Sequence, residues 1–185
     1  LYLYDAIGNL TVTAQDVNGN GAVDFAGLDR ISRTATCYAL AGTDWWRVTS
    51  NEVWNVENDA TPLATAVERV RMTGLGTVNA TFSPCAVLTA QRESRNWRGS
   101  LTHTYSYADT VDARSWHVMD TPESDVNRVS LAIAGLSVTN TSATGITTAA
   151  AYDGFGRQTA FTDGRGNSCR NQYNALGLVD WTEDE

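Results

Sequence analysis

The stretch Ala150–Val179, AAYDGFGRQTAFTDGRGNSCRNQYNALGLV, says one thing twice. Tyr152-Asp153-Gly154-Phe155-Gly156-Arg157 returns as Tyr173-Asn174-Ala175-Leu176-Gly177-Leu178, and Asp163-Gly164-Arg165-Gly166-Asn167 lies between them. A second pair stands near the start of the sequence: Tyr4-Asp5-Ala6-Ile7-Gly8-Asn9-Leu10, then Phe25-Ala26-Gly27-Leu28-Asp29-Arg30-Ile31. The interval is 21 residues in both pairs, and the connector Asp16-Val17-Asn18-Gly19-Asn20 matches Asp163–Asn167.

Each unit reads as one β-hairpin. The aromatic ends a strand and offers a large apolar face with a polar tip. The Asp or Asn after it bonds its own backbone and starts a turn. The glycine three residues further on takes the positive-φ position, and the next strand returns. Hairpins are therefore expected at Gly8-Asn9, around Asn18-Gly19-Asn20, at Gly156-Arg157 and around Arg165-Gly166-Asn167. Tyr4, Phe25, Tyr152 and Tyr173 are expected in equivalent places on one face. One hairpin cannot bury its own face, so the units must stack side by side into a continuing sheet. The repetition is then a structural period, not a repeated active site.

The rest of the chain agrees. Thr is abundant at 24 residues and Pro is rare at 3, a balance that suits short strands joined by tight turns. Leu10–Thr13, Ile31–Thr36 and Leu101–Tyr107 alternate with period two. Trp46–Thr49 and Glu52–Trp54 either face each other across Ser50-Asn51 or follow one another in one strand. Val129–Ile133, Leu136–Thr139 and Ile146–Tyr152 form a late group with Ser142-Ala143-Thr144-Gly145 as a turn. Thr61–Thr73 is the one helix candidate, with Asp59 as cap and Pro62 in a first turn. Within it Ala66–Met72 also reads as a strand, which the all-strand neighbourhood favours.

Net charge is −8, with 13 Arg and no Lys. A surface that tracks phosphates needs excess positive charge, so nucleic acid and anionic membrane surfaces are not expected as partners. No stretch approaches the ~20 apolar residues that a membrane-spanning helix needs. The sequence opens directly on strand-like Leu1-Tyr2-Leu3-Tyr4, without a leader, which suggests a module of a larger protein. Cys37, Cys85 and Cys169 are odd in number and match no metal spacing. They read as semi-buried thiols, with one disulfide as the alternative.

The motifs YDAIGNL, YDGFGRQ, FAGLDRI and YNALGLV, joined by DVNGN and DGRGN, resemble the YD-repeat family, also called rearrangement-hotspot (Rhs) repeats. The residues that carry the resemblance are Tyr4, Asp5, Gly8, Asp16, Gly19, Asn20, Phe25, Tyr152, Asp153, Gly156, Asp163, Gly166, Asn167, Tyr173, Asn174 and Gly177. Phe25-Ala26 has lost both signature letters, Asp29 replaces a glycine and Asn174 replaces the aspartate. An obligatory ligand would not be dispensable in two of four copies, so these positions are structural. The resemblance implies an all-β fold of repeated antiparallel hairpins in a continuous curved sheet, a slice of a β-shell. It divides the chain into a repeat pair over 1–36, a region of longer strands over 37–127, and a hairpin plus repeat pair over 128–185. It implies a non-catalytic segment of a secreted or cell-surface bacterial protein. Its partners would be the remainder of that protein and an enclosed toxin cargo. The alternative is an adhesion module that binds a glycan or a protein through exposed aromatics.

Asp16, Asn18, Asn20 and Asp24 stand at positions 1, 3, 5 and 9 of a calcium loop, with Gly21 at position 6. Gly27 stands where the bidentate acid belongs, and the hairpin turn already explains the segment. His103 and His117 lie near Asp109, Asp112 and Asp120, without zinc or triad spacing. The six Trp, residues 45, 46, 54, 97, 116 and 181, are either a sugar-stacking platform or cross-strand core pairs. The Asn9, Asn79 and Asn140 glycosylation patterns are expected noise in a Thr-rich chain. No cofactor and no metal is expected.

Overall fold

The computed structural model describes residues 1–122 and 127–184. Among them there is no helix, and 14 strands follow one another in a single antiparallel sheet whose spatial order is the chain order. The strands are β1 (Tyr2–Tyr4), β2 (Leu10–Gln15), β3 (Arg30–Ala41), β4 (Asp44–Trp54), β5 (Leu63–Arg71), β6 (Ala86–Asn96) and β7 (Leu101–Asp109). The series continues with β8 (Arg114–Asp120), β9 (Arg128–Ile133), β10 (Leu136–Thr141), β11 (Thr147–Tyr152), β12 (Gln158–Thr162), β13 (Ser168–Tyr173) and β14 (Val179–Asp184). The helix candidate is strand β5, which starts one residue after Pro62. Trp46–Thr49 and Glu52–Trp54 lie in one strand, β4. Residues 123–126, within the expected middle segment, and Glu185 fall outside the described residues.

Contacts group the chain into two compact units, Leu1–Gly74 with Arg92–Thr102, and Leu75–Gln91 with His103–Glu185. In the first, Val12, Ala14, Ile31 and Trp54 form a buried cluster, with Val23 and Phe25 packed on it. The Phe25 ring meets Trp54 edge-on at 4.9 Å. Two buried tryptophans each carry an arginine on their face. Arg33 lies 5.0 Å from the Trp54 ring and bonds Glu52 directly across the strands, Nε to Oε2 at 2.9 Å. Arg69 lies 5.0 Å from Trp46 and pairs with Glu93, its opposite number on β6, at 3.0 Å. The guanidinium covers apolar ring surface while its charge is neutralised by a neighbour on the next strand.

In the second unit the connection before β6 folds over the sheet. Phe82 stacks on Trp116 at 5.6 Å and leans on Tyr107 at 5.2 Å. Phe82 is half-buried, and Ala86, Leu88, Trp116 and Val118 are the buried apolar residues among those described in this unit. The Ser83 hydroxyl donates to Asp109 Oδ2 at 2.6 Å, which pins the connection to the end of β7.

One expected hairpin turn is replaced by something longer. β2 ends at Gln15 and β3 begins at Arg30, so the connector Asp16–Asn20 does not close a five-residue turn like Asp163–Asn167. Phe25 stands in this loop and not at the end of a strand, so its 21-residue spacing from Tyr4 marks no equivalent place. The cause is Asp29. Its carboxylate is buried and accepts the N–H groups of Val17 and Asp24, each at 3.0 Å, so the loop closes on a side chain and no strand forms inside it.

Candidate functional site

The repeated residues build one turn, six times over. At Asp5, Asn96, Ser142, Asp153, Asp163 and Asn174 the glycine three residues on donates its N–H to the carbonyl of the opening residue, at 2.9–3.1 Å. The opening residue's own N–H bonds the carbonyl four residues on, at 2.8–3.1 Å. Gly8, Gly99, Gly145, Gly156, Gly166 and Gly177 hold the third place after it, with φ between +78° and +91°. The opening side chain fills the turn from inside. Asp153 Oδ1 accepts from Phe155 and Arg157, Asp163 Oδ1 from Arg165 and Asn167, and Asn174 Oδ1 from Leu176 and Leu178. Motif and connector are thus the same device. The copies at Asn96, Ser142 and Asp163 carry no aromatic before them; of the six only the one at Asn96 was missed, and the Asx-to-Gly spacing alone would have found it.

What separates the two kinds of turn is the residue before. Where that residue is Tyr, the ladder slips by one: Tyr4 pairs with Leu10, Tyr152 with Gln158 and Tyr173 with Val179, each after a register shift. Where it is Thr, as at Thr141 and Thr162, the ladder runs to Thr147 and Ser168 without a shift. The interval from Tyr152 to Tyr173 therefore holds one bulged and one plain turn, and a bulge re-aims the chain that carries it.

Tyr152 and Tyr173 then do the same work. Tyr152 donates its hydroxyl to the Ser137 carbonyl and Tyr173 to the Gln158 carbonyl, both at 2.9 Å. Tyr4 ends β1 in the matching position but is 61% exposed. Arg157, expected only as a turn residue, ties two repeats together. Its guanidinium pairs with Asp153 at 2.7 Å and lies 4.5 Å from the Tyr173 ring and 5.1 Å from Phe155.

These bonds hold the turn carboxyls below their ordinary range. At Asp5 the Asn9 side chain is the main cause, and at Asp163 the Asn167 side chain. At Asp153 desolvation pushes upward, but bonds from the Arg157 side chain and from the N–H groups of Arg157 and Phe155 outweigh it. Asp29 is lowered by the N–H groups of Asp24 and Val17. Asp109 is lowered by the Ser83 hydroxyl and the Val111 N–H.

In the Asp16–Asp24 loop, Asp16 accepts from Gly19 N at 2.7 Å and Gly21 N at 2.8 Å. The amides of Asn18 and Asn20 both donate to Asp24 Oδ2, at 2.8 and 2.7 Å. The oxygen-bearing side chains at calcium-loop positions thus pair with one another and with the loop backbone. Asp29, the acid nearest the missing twelfth place, is buried on the N–H groups of Val17 and Asp24. Among the described residues no group of three or more His, Cys, Asp or Glu is arranged to hold a metal.

His103 and His117 do not share a site. His103 faces Asp120 across β7 and β8, whereas His117 faces Ser106, so strand alternation puts the two imidazoles on opposite faces. His117 Nδ1 lies 3.3 Å from Ser106 Oγ. Asp109 is taken up with Ser83 and its own turn, and Asp112 pairs with Arg114 at 2.9 Å. Of the tryptophans, Trp46, Trp54 and Trp116 are core, while Trp45, Trp97 and Trp181 are exposed. Cys37, Cys85 and Cys169 are free thiols. A groove of about 370 Å³ in the first unit is lined by Thr11, Thr13, Ser32, Thr34 and Asn51. Four of these groups pair with one another: Thr13 and Ser32 oxygens are 2.5 Å apart, and Thr34 donates to Asn51 at 2.9 Å. Compared with known proteins, the chain matches no family model and no curated protein.

Proposed function

We propose that this chain is a non-catalytic structural segment of a YD-repeat (Rhs-like) protein, secreted or displayed at a bacterial cell surface, in which it forms part of the wall of a β-sheet shell. The observation that carries this reading is the use of one turn at six hairpin ends. The residues of the repeat motif are spent on backbone geometry. Asp5, Asp153, Asp163 and Asn174 hold turns, Gly8, Gly156, Gly166 and Gly177 supply positive φ, and Tyr152 and Tyr173 clasp the neighbouring strand. A sheet whose spatial order is its chain order extends by adding hairpins, as a wall does. Its partners are the rest of the protein and an enclosed toxin cargo. Electron cryomicroscopy of the intact protein from culture medium or cell surface tests this. A closed sheet around an internal volume supports the reading; an open sheet with both faces in solvent overturns it.

A second reading rests on Trp45, Trp97 and Trp181, which keep 48%, 61% and 45% of their surface exposed. They fit an adhesion module that stacks glycans or a partner protein. A glycan array separates the two: the shell segment binds nothing on it, and binding lost on Trp97→Ala favours adhesion.

A further inference from the structure

The loop between β2 and β3 holds two Asn-Gly pairs, Asn18-Gly19 and Asn20-Gly21, and all four residues are exposed. Glycine has no Cβ to shield its nitrogen, and in this loop the space beside both glycines is open. Such a pair is prone to self-modification. The glycine nitrogen attacks the asparagine Cγ; an N–Cγ bond forms and the Cγ–Nδ2 bond breaks. The glycine amide proton leaves with Nδ2 as ammonia. Water then opens the five-membered imide at either carbonyl and leaves aspartate or isoaspartate. Water is the only co-reactant, and nothing is oxidised or reduced.

We propose that the Asp16 carboxylate guards both of these deamidation sites. Oδ1 holds the Gly19 N–H at 2.7 Å and Oδ2 holds the Gly21 N–H at 2.8 Å, one oxygen for each attacking nitrogen. The attack needs that nitrogen free and stripped of its proton, so each bond must first break. The targets are restrained as well. Asn18 Oδ1 accepts from Asn20 N at 3.1 Å and Asn20 Oδ1 from Ala22 N at 2.8 Å, while both Nδ2 groups are bound to Asp24. Breaking a charge-assisted bond before each attack slows the reaction roughly ten- to a hundredfold. Once the guard fails the change is one-way. Two carboxylates replace the two amides that Asp24 accepts from, beside Asp16 and the buried Asp29. Like charges then press the loop open.

The test is ageing of the full chain at neutral pH, read by peptide mass spectrometry of residues 16–29, folded and in urea. The folded chain is expected to deamidate at Asn18 and Asn20 roughly ten- to a hundredfold more slowly than the unfolded one; equal rates overturn the proposal. Asp16→Asn keeps the shape but leaves one acceptor oxygen. One of the two sites should then speed up while the other stays slow, and no change at either overturns the assignment to Asp16. Amide hydrogen exchange at Gly19 and Gly21 in the unaltered chain needs no variant. Slow exchange supports the guard, and exchange at the rate of an unstructured peptide refutes it.

Discussion

The Tyr173 hydroxyl donates to the Gln158 carbonyl at 2.9 Å, and Tyr152 makes the same bond, at the same length, to Ser137. Donor and acceptor are fifteen residues apart in both cases. In each, the last residue of one strand is tied to the beginning of the strand before it, across a different hairpin from the one its own turn closes. The repeat is thereby stitched to its predecessor. Tyr152→Phe and Tyr173→Phe should each cost about 0.5–1.5 kcal/mol, the net worth of one hydrogen bond. Chemical denaturation measures it, and two variants with unchanged midpoints would show that the ring alone matters.

Glycines of one turn should differ sharply. Gly156 sits at φ +79°, whereas Gly154 two residues earlier has ordinary φ and nothing within 4 Å of where a Cβ would stand. Gly156→Ala should destabilise by roughly 1–2 kcal/mol, the cost of a left-handed conformation for a residue with a Cβ. Gly154→Ala should be neutral or stabilise by up to about 1 kcal/mol, because it narrows the unfolded ensemble. Thermal melts of the pair decide it; equal losses would contradict the turn geometry.

Acid should act through the turn aspartates. Asp5, Asp153 and Asp163 have lowered folded values, so their contribution is present above the unfolded value, about 3.9, and is lost as pH falls through the folded values beneath it. The melting temperature should be level from neutral pH to about pH 5 and fall only below about pH 4. Changing all three to Asn should lessen that fall and leave the share of Asp29 and Asp109, since Asn174 already holds the same turn through Oδ1 without a charge. A melting temperature that drops between pH 7 and 5 would contradict this.

The two edges of the sheet should be adhesive. Among the described residues β1 pairs only with β2 and β14 only with β13, and every residue of both strands is exposed. Their outer N–H and C=O rows are open to pairing with another chain. Light scattering over a concentration series of the isolated chain should show mass rising with concentration. A constant monomer mass would refute edge pairing.

Much of this fold is legible in the residues, for an identifiable reason. A half-buried strand writes its alternation into the sequence, as in Leu101–Tyr107, and an Asx-to-Gly turn writes its two ends, as at Asp153 and Gly156. The Asp16–Asp29 loop is not legible that way. Spacing cannot distinguish a return strand from a loop closed on a buried carboxylate, so Phe25 copied the period without the geometry. The turn at Asn96 was hidden by the opposite circumstance: it lies in the charged run Arg92–Arg98 and lacks the aromatic that draws notice elsewhere. Arg157 was invisible because its partners, Asp153 and the Tyr173 ring, meet only once two repeats are side by side.

The claim that the repetition is a structural period is tested most directly by excising one period. Removing residues 153–173 joins Tyr152 to Asn174, so Tyr152 takes the place of Tyr173 before the last turn. Removing residues 158–173 deletes the same two strands, β12 and β13, but sets two turns back to back. Circular dichroism and thermal unfolding of both variants provide the measurement. The account predicts that the 21-residue excision keeps a β spectrum and one cooperative transition, while the shorter excision loses cooperativity. Equal damage from both, or better survival of the shorter one, would contradict it.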